Sequence, residues 1–370
     1  MIYADNAATT ELDADAFGLM KDYLLINYGN ASQPYEFGQK CKIALDEARK
    51  TIAKCIGADA EEIFFTSCGT ESDNWAIKMG SEHMNQIITS AIEHHAILNS
   101  CKTMEDTGKT VKYLSVNGKG EVDPNDLNML MGNAKSLVSV MFANNEIGTI
   151  EPIKKLAEIT HINGGIFHTD AVQAVGHISI DVHELGVDML SASGHKFNAP
   201  KGVGFLYIKK GLEIRPFLDG GSQEKEHRAG TENIASIVAM ACALEKNCTQ
   251  IDRNEKHLKN LEKIIISILR DAGLDFIQNG SENRIPGNIS LSFADAEGEM
   301  LLHRLDLKKI CLSTGSACDS VNTQISHVIE AIGVPAMYAE GTIRITLGKN
   351  NTESEAKIIA EALVDVLRKP

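Results

Sequence analysis

No two cysteines of this 370-residue chain stand as Cys-X-X-Cys, although there are eight, at 41, 55, 68, 101, 242, 248, 311 and 318. In a chain of this length such scatter argues against a disulfide framework, and for reduced thiols in a cytoplasmic protein. Basic side chains number 36 against 50 acidic ones, giving a net charge of −14. No Lys/Arg block stands out, so direct nucleic-acid binding is not expected. Met1-Ile2-Tyr3-Ala4-Asp5 lacks the basic start and apolar centre of a signal peptide. The most continuous apolar segment, 234–244, has about half the length a bilayer span requires, so no membrane association is expected. Internal repeats and low-complexity stretches are missing too.

What is present is ample core material. With 43% hydrophobic residues, the chain can bury a large interior, and two domains are expected. Strand-like runs at 62–66, 86–89, 111–114, 137–141, 166–169, 189–192 and 203–207 alternate with helical patterns such as 36–56, 71–80, 94–107 and 152–162. That alternation predicts an α/β fold with a mostly parallel, doubly wound, seven-stranded sheet, whose ligands sit at the carboxyl ends of strands. Beyond about residue 250 the texture changes to a long Lys/Glu-rich helix at 252–271, strands at 288–293, 310–313 and 342–347, and a helix at 352–368. The expected division is a large domain, 12–250, and a smaller α+β domain made of 1–11 and 251–370.

Three places carry chemistry. Phe65-Thr66-Ser67-Cys68-Gly69-Thr70-Glu71-Ser72-Asp73-Asn74 reads as strand, small-residue turn, helix start. It lacks the Gly-Lys-Ser/Thr of a nucleotide loop and Gly-X-Gly-X-X-Gly, yet its free N–H groups and helix dipole suit an anion. A plain capped helix explains it equally well. His168-Thr169-Asp170-Ala171-Val172-Gln173 places an aspartate at a strand end, where it could hold a ring-nitrogen charge or cap the next helix. Ser191-Ala192-Ser193-Gly194-His195-Lys196 places a lysine after a buried strand, where burial favours a nucleophilic amine. His168 reads as a core histidine. Anion turn, aspartate and lysine together describe a pyridoxal 5′-phosphate site. Ser313-Thr314-Gly315-Ser316-Ala317-Cys318-Asp319-Ser320 adds a thiol in a small-residue loop that could swing, which suggests sulfur transfer.

The sequence resembles the cysteine desulfurases of the class V aminotransferase superfamily, in motifs that run from end to end. Asp5-Asn6-Ala7-Ala8-Thr9-Thr10, Gly69 to Asn74, Glu93-His94-His95-Ala96 and Asn144-Asn145-Glu146-Ile147-Gly148 carry the first part of the likeness. His168 to Gln173, Ser193 to Lys196, Arg228-Ala229-Gly230-Thr231-Glu232-Asn233, Ser313 to Ser320 and Gly341 to Gly348 carry the rest. The long loop around Cys318 resembles the group I members. The resemblance implies a fold-type I transferase that converts L-cysteine to L-alanine and passes sulfur to Cys318 as a persulfide. Lys196 would hold pyridoxal 5′-phosphate as a Schiff base and act as the base. Asp170 would pair with the pyridine nitrogen, and His94, rather than His95, would stack on the ring. Gln173 and Asn145 would lie near the phenolic oxygen, with Asn145 also near the substrate. Gly69, Thr70, Ser193 and His195 would hold the phosphate, joined by Thr231 from the other subunit of a homodimer. Arg344 would clamp the substrate carboxylate, unless it serves a structural ion pair. No metal is expected.

Three departures bear on these expectations. Asp319 follows Cys318 where the family commonly has threonine, and its charge would raise the thiol pKa. Cys68 occupies a position commonly taken by glycine or another small residue. The chain stops at Pro370, where members that dock an iron–sulfur scaffold usually carry a longer tail; the sulfur-acceptor protein is therefore open between iron–sulfur assembly and tRNA or DNA thiolation. The rival readings are a selenocysteine lyase, another class V aminotransferase-like enzyme, and a partner-activated sulfur-carrier platform. The Cys318 loop speaks against transamination, which needs no thiol, and intact Lys196, Asp170 and Arg344 speak against a mere platform.

Overall fold

A computed structural model describes residues 1–315 and 325–368. Its centre is a seven-stranded sheet in the order Ile63–Thr66, Gly204–Ile208, Met189–Ser193, Ile166–Asp170, Ser136–Ser139, Gln86–Ser90 and Thr110–Leu114. All pairings are parallel except those of Gly204–Ile208, which runs antiparallel to both its neighbours. Most of these strands are buried along their whole length, which is why their sequences read as apolar runs and not as alternating patterns.

Helices cover both faces. On one face Glu36–Cys55 and Ile234–Cys248 pack together, with Ile52, Ile88, Val138, Phe167 and Leu190 in the core beneath. On the other, Gly69–Gly80 and His95–Asp106 pack over Leu137, Met189 and the fully buried Trp75. Each aliphatic side chain so buried contributes on the order of 1.5–3 kcal/mol.

A second core is built from Ile2, Ala4 and residues between Leu258 and Val366. Here the strands Thr342–Thr346, Asn288–Phe293 and Phe276–Gln278 form an antiparallel sheet, and the helices Ile251–Asp271 and Glu353–Arg368 pack on each other. The chain's start belongs to this unit, because Ile2–Tyr3 pairs in parallel with Ile310–Cys311 and Asp5 bridges to Thr346. Residues 6–10 then cross to the large sheet, where the Thr10 N–H and Oγ both donate to the His195 carbonyl. The seven described cysteines are all free.

Candidate active site

Two neighbouring parallel strands end side by side: Ile166–Asp170 in Asp170, and Met189–Ser193 in the short turn Gly194–Lys196. The turn is tight at its head: a Cβ on Gly194 would stand 3.1 Å from Ala199 Cβ and from the side chain and carbonyl of Val203. Facing these strand ends is the first turn of the helix Gly69–Gly80. With Ala7, Ala8 and Arg344 they enclose a cavity of about 280 Å³. A larger one, about 500 Å³, lies on the far side of residues 6–11 and holds none of the expected site residues. Its lining meets the lysine turn through Thr9 and Thr10, which contact His195, and through His177, whose Nε2 donates to the Lys196 carbonyl at 2.8 Å.

Lys196 Nζ donates to the carbonyls of Ala7 at 2.5 Å and Ala8 at 2.9 Å. Asp170 is buried, with Oδ1 accepting from the Val172 N–H at 2.9 Å; turns, not a helix, follow it. Burial pushes its carboxyl up to about 6, against the Val172 N–H and the Lys196 charge, which favour ionisation. His94 borders the cavity as the residue heading the helix His95–Asp106, its Nδ1 accepting from the Ala96 N–H. His95 instead meets the His327 ring, with centroids 5.0 Å apart. Gln173 lines the cavity and donates from Nε2 to the Ala7 carbonyl at 3.0 Å.

Ser193 and His195 lie on the cavity too, and His195 Nδ1 is 3.2 Å from Thr9 Oγ1. Burial, aided by the Lys196 and Lys201 charges, lowers this imidazole to about 4, so it is neutral at neutral pH. Gly69 and Thr70 line the phosphate-turn side. Cys68, which heads their helix, supplies no capping side-chain hydrogen bond and borders the cavity itself. A Cβ on Gly69 would come within 2.6 Å of Val172 Cγ2, so the close approach there depends on glycine.

Arg344 is 2% exposed and serves two ends. Its Nη2 donates to Asp5 Oδ1 at 2.9 Å and its Nη1 to the Asn145 carbonyl at 3.1 Å, while both Arg344 and Asn145 line the cavity. Its Nε has no hydrogen-bond partner among the described residues. The ion pair and the cavity position therefore coexist. Thr231 is exposed and does not line this cavity. Cys318 and Asp319 lie outside the described residues. His168 sits beneath the site, fully buried between Ser139 Oγ and Ser191 Oγ, each at 2.9 Å.

Sequence reasoning missed Asp5 as the partner of Arg344, the Ala7 and Ala8 carbonyls as partners of Lys196, and Asp73 as a cavity residue. All four fall inside quoted motifs, but only the fold reveals what they face. Among the described residues no group of His, Cys, Asp and Glu could hold a metal ion, and no helix is long and apolar enough to cross a membrane.

The aminotransferase class-V family matches residues 2–359. A curated relative from Dictyoglomus turgidum, "Cysteine desulfurase IscS", is 46% identical over 100% of this chain and 95% of its own. The chain belongs to the cysteine desulfurases of the aminotransferase class-V family. Solved structures agree with that membership. A "NIFS-LIKE PROTEIN" superimposes with a TM-score of 0.93 at 36% identity, covering 99% of both chains. "SspA in complex with cysteine" does so with a TM-score of 0.84 at 30% identity, covering 95% of this chain and 100% of that one.

Cysteine desulfurases depend on pyridoxal 5′-phosphate, and the residues present fit that group. The uncapped helix start and the crowded Gly69 form a cradle for a phosphate, and a buried carboxyl and a lysine amine share the cavity at the strand ends.

Proposed function

We propose that L-cysteine is bound and desulfurated in this cavity, its carbon skeleton leaving as L-alanine and its sulfur as a persulfide on Cys318. The observation that carries the reading is the convergence of the Lys196 amine, the Asp170 carboxyl and the Arg344 guanidinium on one cavity. The family membership supports it, as does the cysteine complex of the SspA relative.

Bound pyridoxal 5′-phosphate supplies an electron sink for the substrate's α-carbon. Lys196 would hold it, and the amine, once free, takes the α-proton. Asp170, ionised, would pair with the ring nitrogen, and His94 would stack on the ring. Gly69, Thr70, Ser193 and neutral His195 would hold the phosphate, and Gln173 and Asn145 would lie near the phenolic oxygen. Arg344 orients the substrate carboxylate. The Cys318 thiolate attacks the substrate sulfur: an S–S bond forms, the C–S bond breaks, and a proton replaces sulfur on the β-carbon.

Thr231, exposed on its own chain, reaches the phosphate of a second copy in a homodimer. The separate cores support a large domain of 12–250 and a small one of 1–11 with 251–370. The persulfide passes to an acceptor protein, of iron–sulfur assembly or of tRNA or DNA thiolation, in the cytoplasm.

The test is to give L-cysteine to the cofactor-loaded protein and follow alanine release together with persulfide labelling at Cys318. Both products are expected in the native protein, and Cys318→Ala should keep the yellow cofactor chromophore while losing the label. Full sulfide turnover by Cys318→Ala, without an added thiol, would refute the assignment.

A further inference from the structure

The helix Gly69–Gly80 opens with Gly69, Thr70 and Glu71. Gly69 and Thr70 line the active-site cavity, whereas Glu71, one residue on, does not. A helix start attracts any anion within reach, because its first N–H groups have no partner inside the helix. Cys68 heads this helix without a side-chain cap. Two anions therefore compete for the same turn: a phosphate in the cavity and the carboxylate of Glu71.

The structure turns Glu71 aside. Its Oε2 accepts from the Ser67 N–H at 2.8 Å, just ahead of the helix. Arg228 holds it there with its fork, Nε donating to Oε1 at 2.8 Å and Nη2 to Oε2 at 3.2 Å. The Glu71 side chain is 10% exposed and that of Arg228 21%, so water screens the pair weakly. Burial pushes the Glu71 carboxyl up, but the hydrogen bonds from Arg228 and Ser67 outweigh it and hold the group below its usual range, ionised. Arg228 is itself fixed by its loop. The Ala229 N–H donates to the Leu218 carbonyl and the Gly230 N–H to Gln223 Oε1, each at 3.1 Å, and the neighbouring Glu224 is anchored on Arg49. On the other side of the turn Thr66 Oγ1 donates to the Cys68 carbonyl at 3.2 Å, a restraint that does not depend on Arg228. Without Arg228, Glu71 would be left as a bare carboxylate that repels a phosphate or swings onto the first-turn N–H groups in its place.

We propose that Arg228 is a positioning residue: by clamping Glu71 onto the Ser67 N–H, it neutralises that carboxylate and keeps the turn at Gly69 and Thr70 open for the cofactor's phosphate. This rests on the reading above that the turn receives that phosphate. Arg228 does not line the cavity and acts through Glu71.

Equilibrium dialysis of the full chain against pyridoxal 5′-phosphate, and separately against pyridoxal, which lacks the phosphate, tests the clamp. The native protein is compared with R228Q, R228K, E71Q and E71Q/R228Q. R228Q should lose roughly ten-fold in affinity for pyridoxal 5′-phosphate while holding pyridoxal within about two-fold of native. R228K keeps the charge but not the fork, so it should fall between, and it carries the comparison if R228Q does not fold. E71Q, whose amide oxygen still accepts from the Ser67 N–H, should bind pyridoxal 5′-phosphate within about three-fold of native. E71Q/R228Q strands no carboxylate and should recover most of the R228Q loss. The proposal is overturned if R228Q and R228K bind pyridoxal 5′-phosphate as the native protein does, or if they lose both ligands equally, as a merely structural role would have it. It is overturned as well if the double variant is as weak as R228Q, since Arg228 would then act on the phosphate directly. A native protein that binds pyridoxal as tightly as pyridoxal 5′-phosphate would instead refute the phosphate reading of the turn, which separates the two failures.

Discussion

Replacing Arg344 by lysine isolates what its forked geometry does, because the positive charge survives. Arg344 spends Nη2 on Asp5 and Nη1 on the Asn145 carbonyl, and its Nε, on a side chain that borders the cavity, has no partner among the described residues. A substrate carboxylate meeting that fork gains charge-assisted hydrogen bonds from fixed directions, which an ammonium on a flexible stem cannot reproduce. Losing one such bond costs about 1.5–3 kcal/mol, equivalent to roughly 10- to 150-fold in affinity. We therefore expect R344K to raise KM for L-cysteine by about that factor, measured as alanine release over a substrate titration. The cofactor chromophore and its occupancy should be unchanged. Since Asp5 can still pair with the lysine, thermal stability should fall by less than in an alanine variant. An unchanged KM in a folded, cofactor-loaded R344K would mean that the substrate carboxylate binds elsewhere, and that the Asp5 pair is the whole role of Arg344.

Two further outcomes follow from buried charges. Glu224 takes two hydrogen bonds from Arg49 at 2.7 Å and one from the Phe65 N–H at 2.9 Å, so E224A should cost about 3–5 kcal/mol and lower Tm by several degrees. Removing both partners in R49M/E224L should recover much of that loss, whereas a Tm within about a degree of native for E224A would contradict the argument. Glu151, buried with Oε1 unpartnered, is raised to about 8 by burial, so the folded state holds a proton that the unfolded chain releases near pH 4.5. Its contribution weakens stability as pH rises between those values and levels off above. E151Q should therefore widen its Tm advantage over the native protein from pH 5 to pH 8, by at most about 1.4 kcal/mol per pH unit, and a pH-independent gap would count against it.

Much of this architecture was legible because parallel strands buried on both faces write themselves as apolar runs. Gln86–Ser90 and Ser136–Ser139 emerged within a residue or two of the expected bounds. Phe276–Gln278 was missed: it has three residues, only half buried, and is held by pairing with Asn288–Phe293. The helix after the phosphate turn begins at Gly69, two residues earlier than its periodicity suggested, since its first turn serves the cavity and shows no apolar repeat. Lys196 and Asp170 could be picked out because each follows a recognisable strand. The Asp5–Arg344 pair and the Lys196 contacts with Ala7 and Ala8 could not, as they span 339, 189 and 188 residues. Asp73 sat inside a quoted motif, yet its burial depends on which strands end opposite it.

The segment around Ala7 also sets the order in which the molecule can be made. The Ala7 N–H donates to Thr346 Oγ1 and the Ala7 carbonyl accepts from Lys196, so one residue ties the lysine turn to a strand 339 residues further on. The central sheet is complete once Gly204–Ile208 has been synthesised, but the strand partner of Ile2, the core around Ala4 and the ion-pair partner of Asp5 all come from residues beyond 257. During translation the opening residues must therefore wait, unpaired, until the distal strand leaves the ribosome. A nascent chain arrested between those two points would hold a folded sheet with its cavity still open, and chaperones would meet the N-terminal segment as an extended strand.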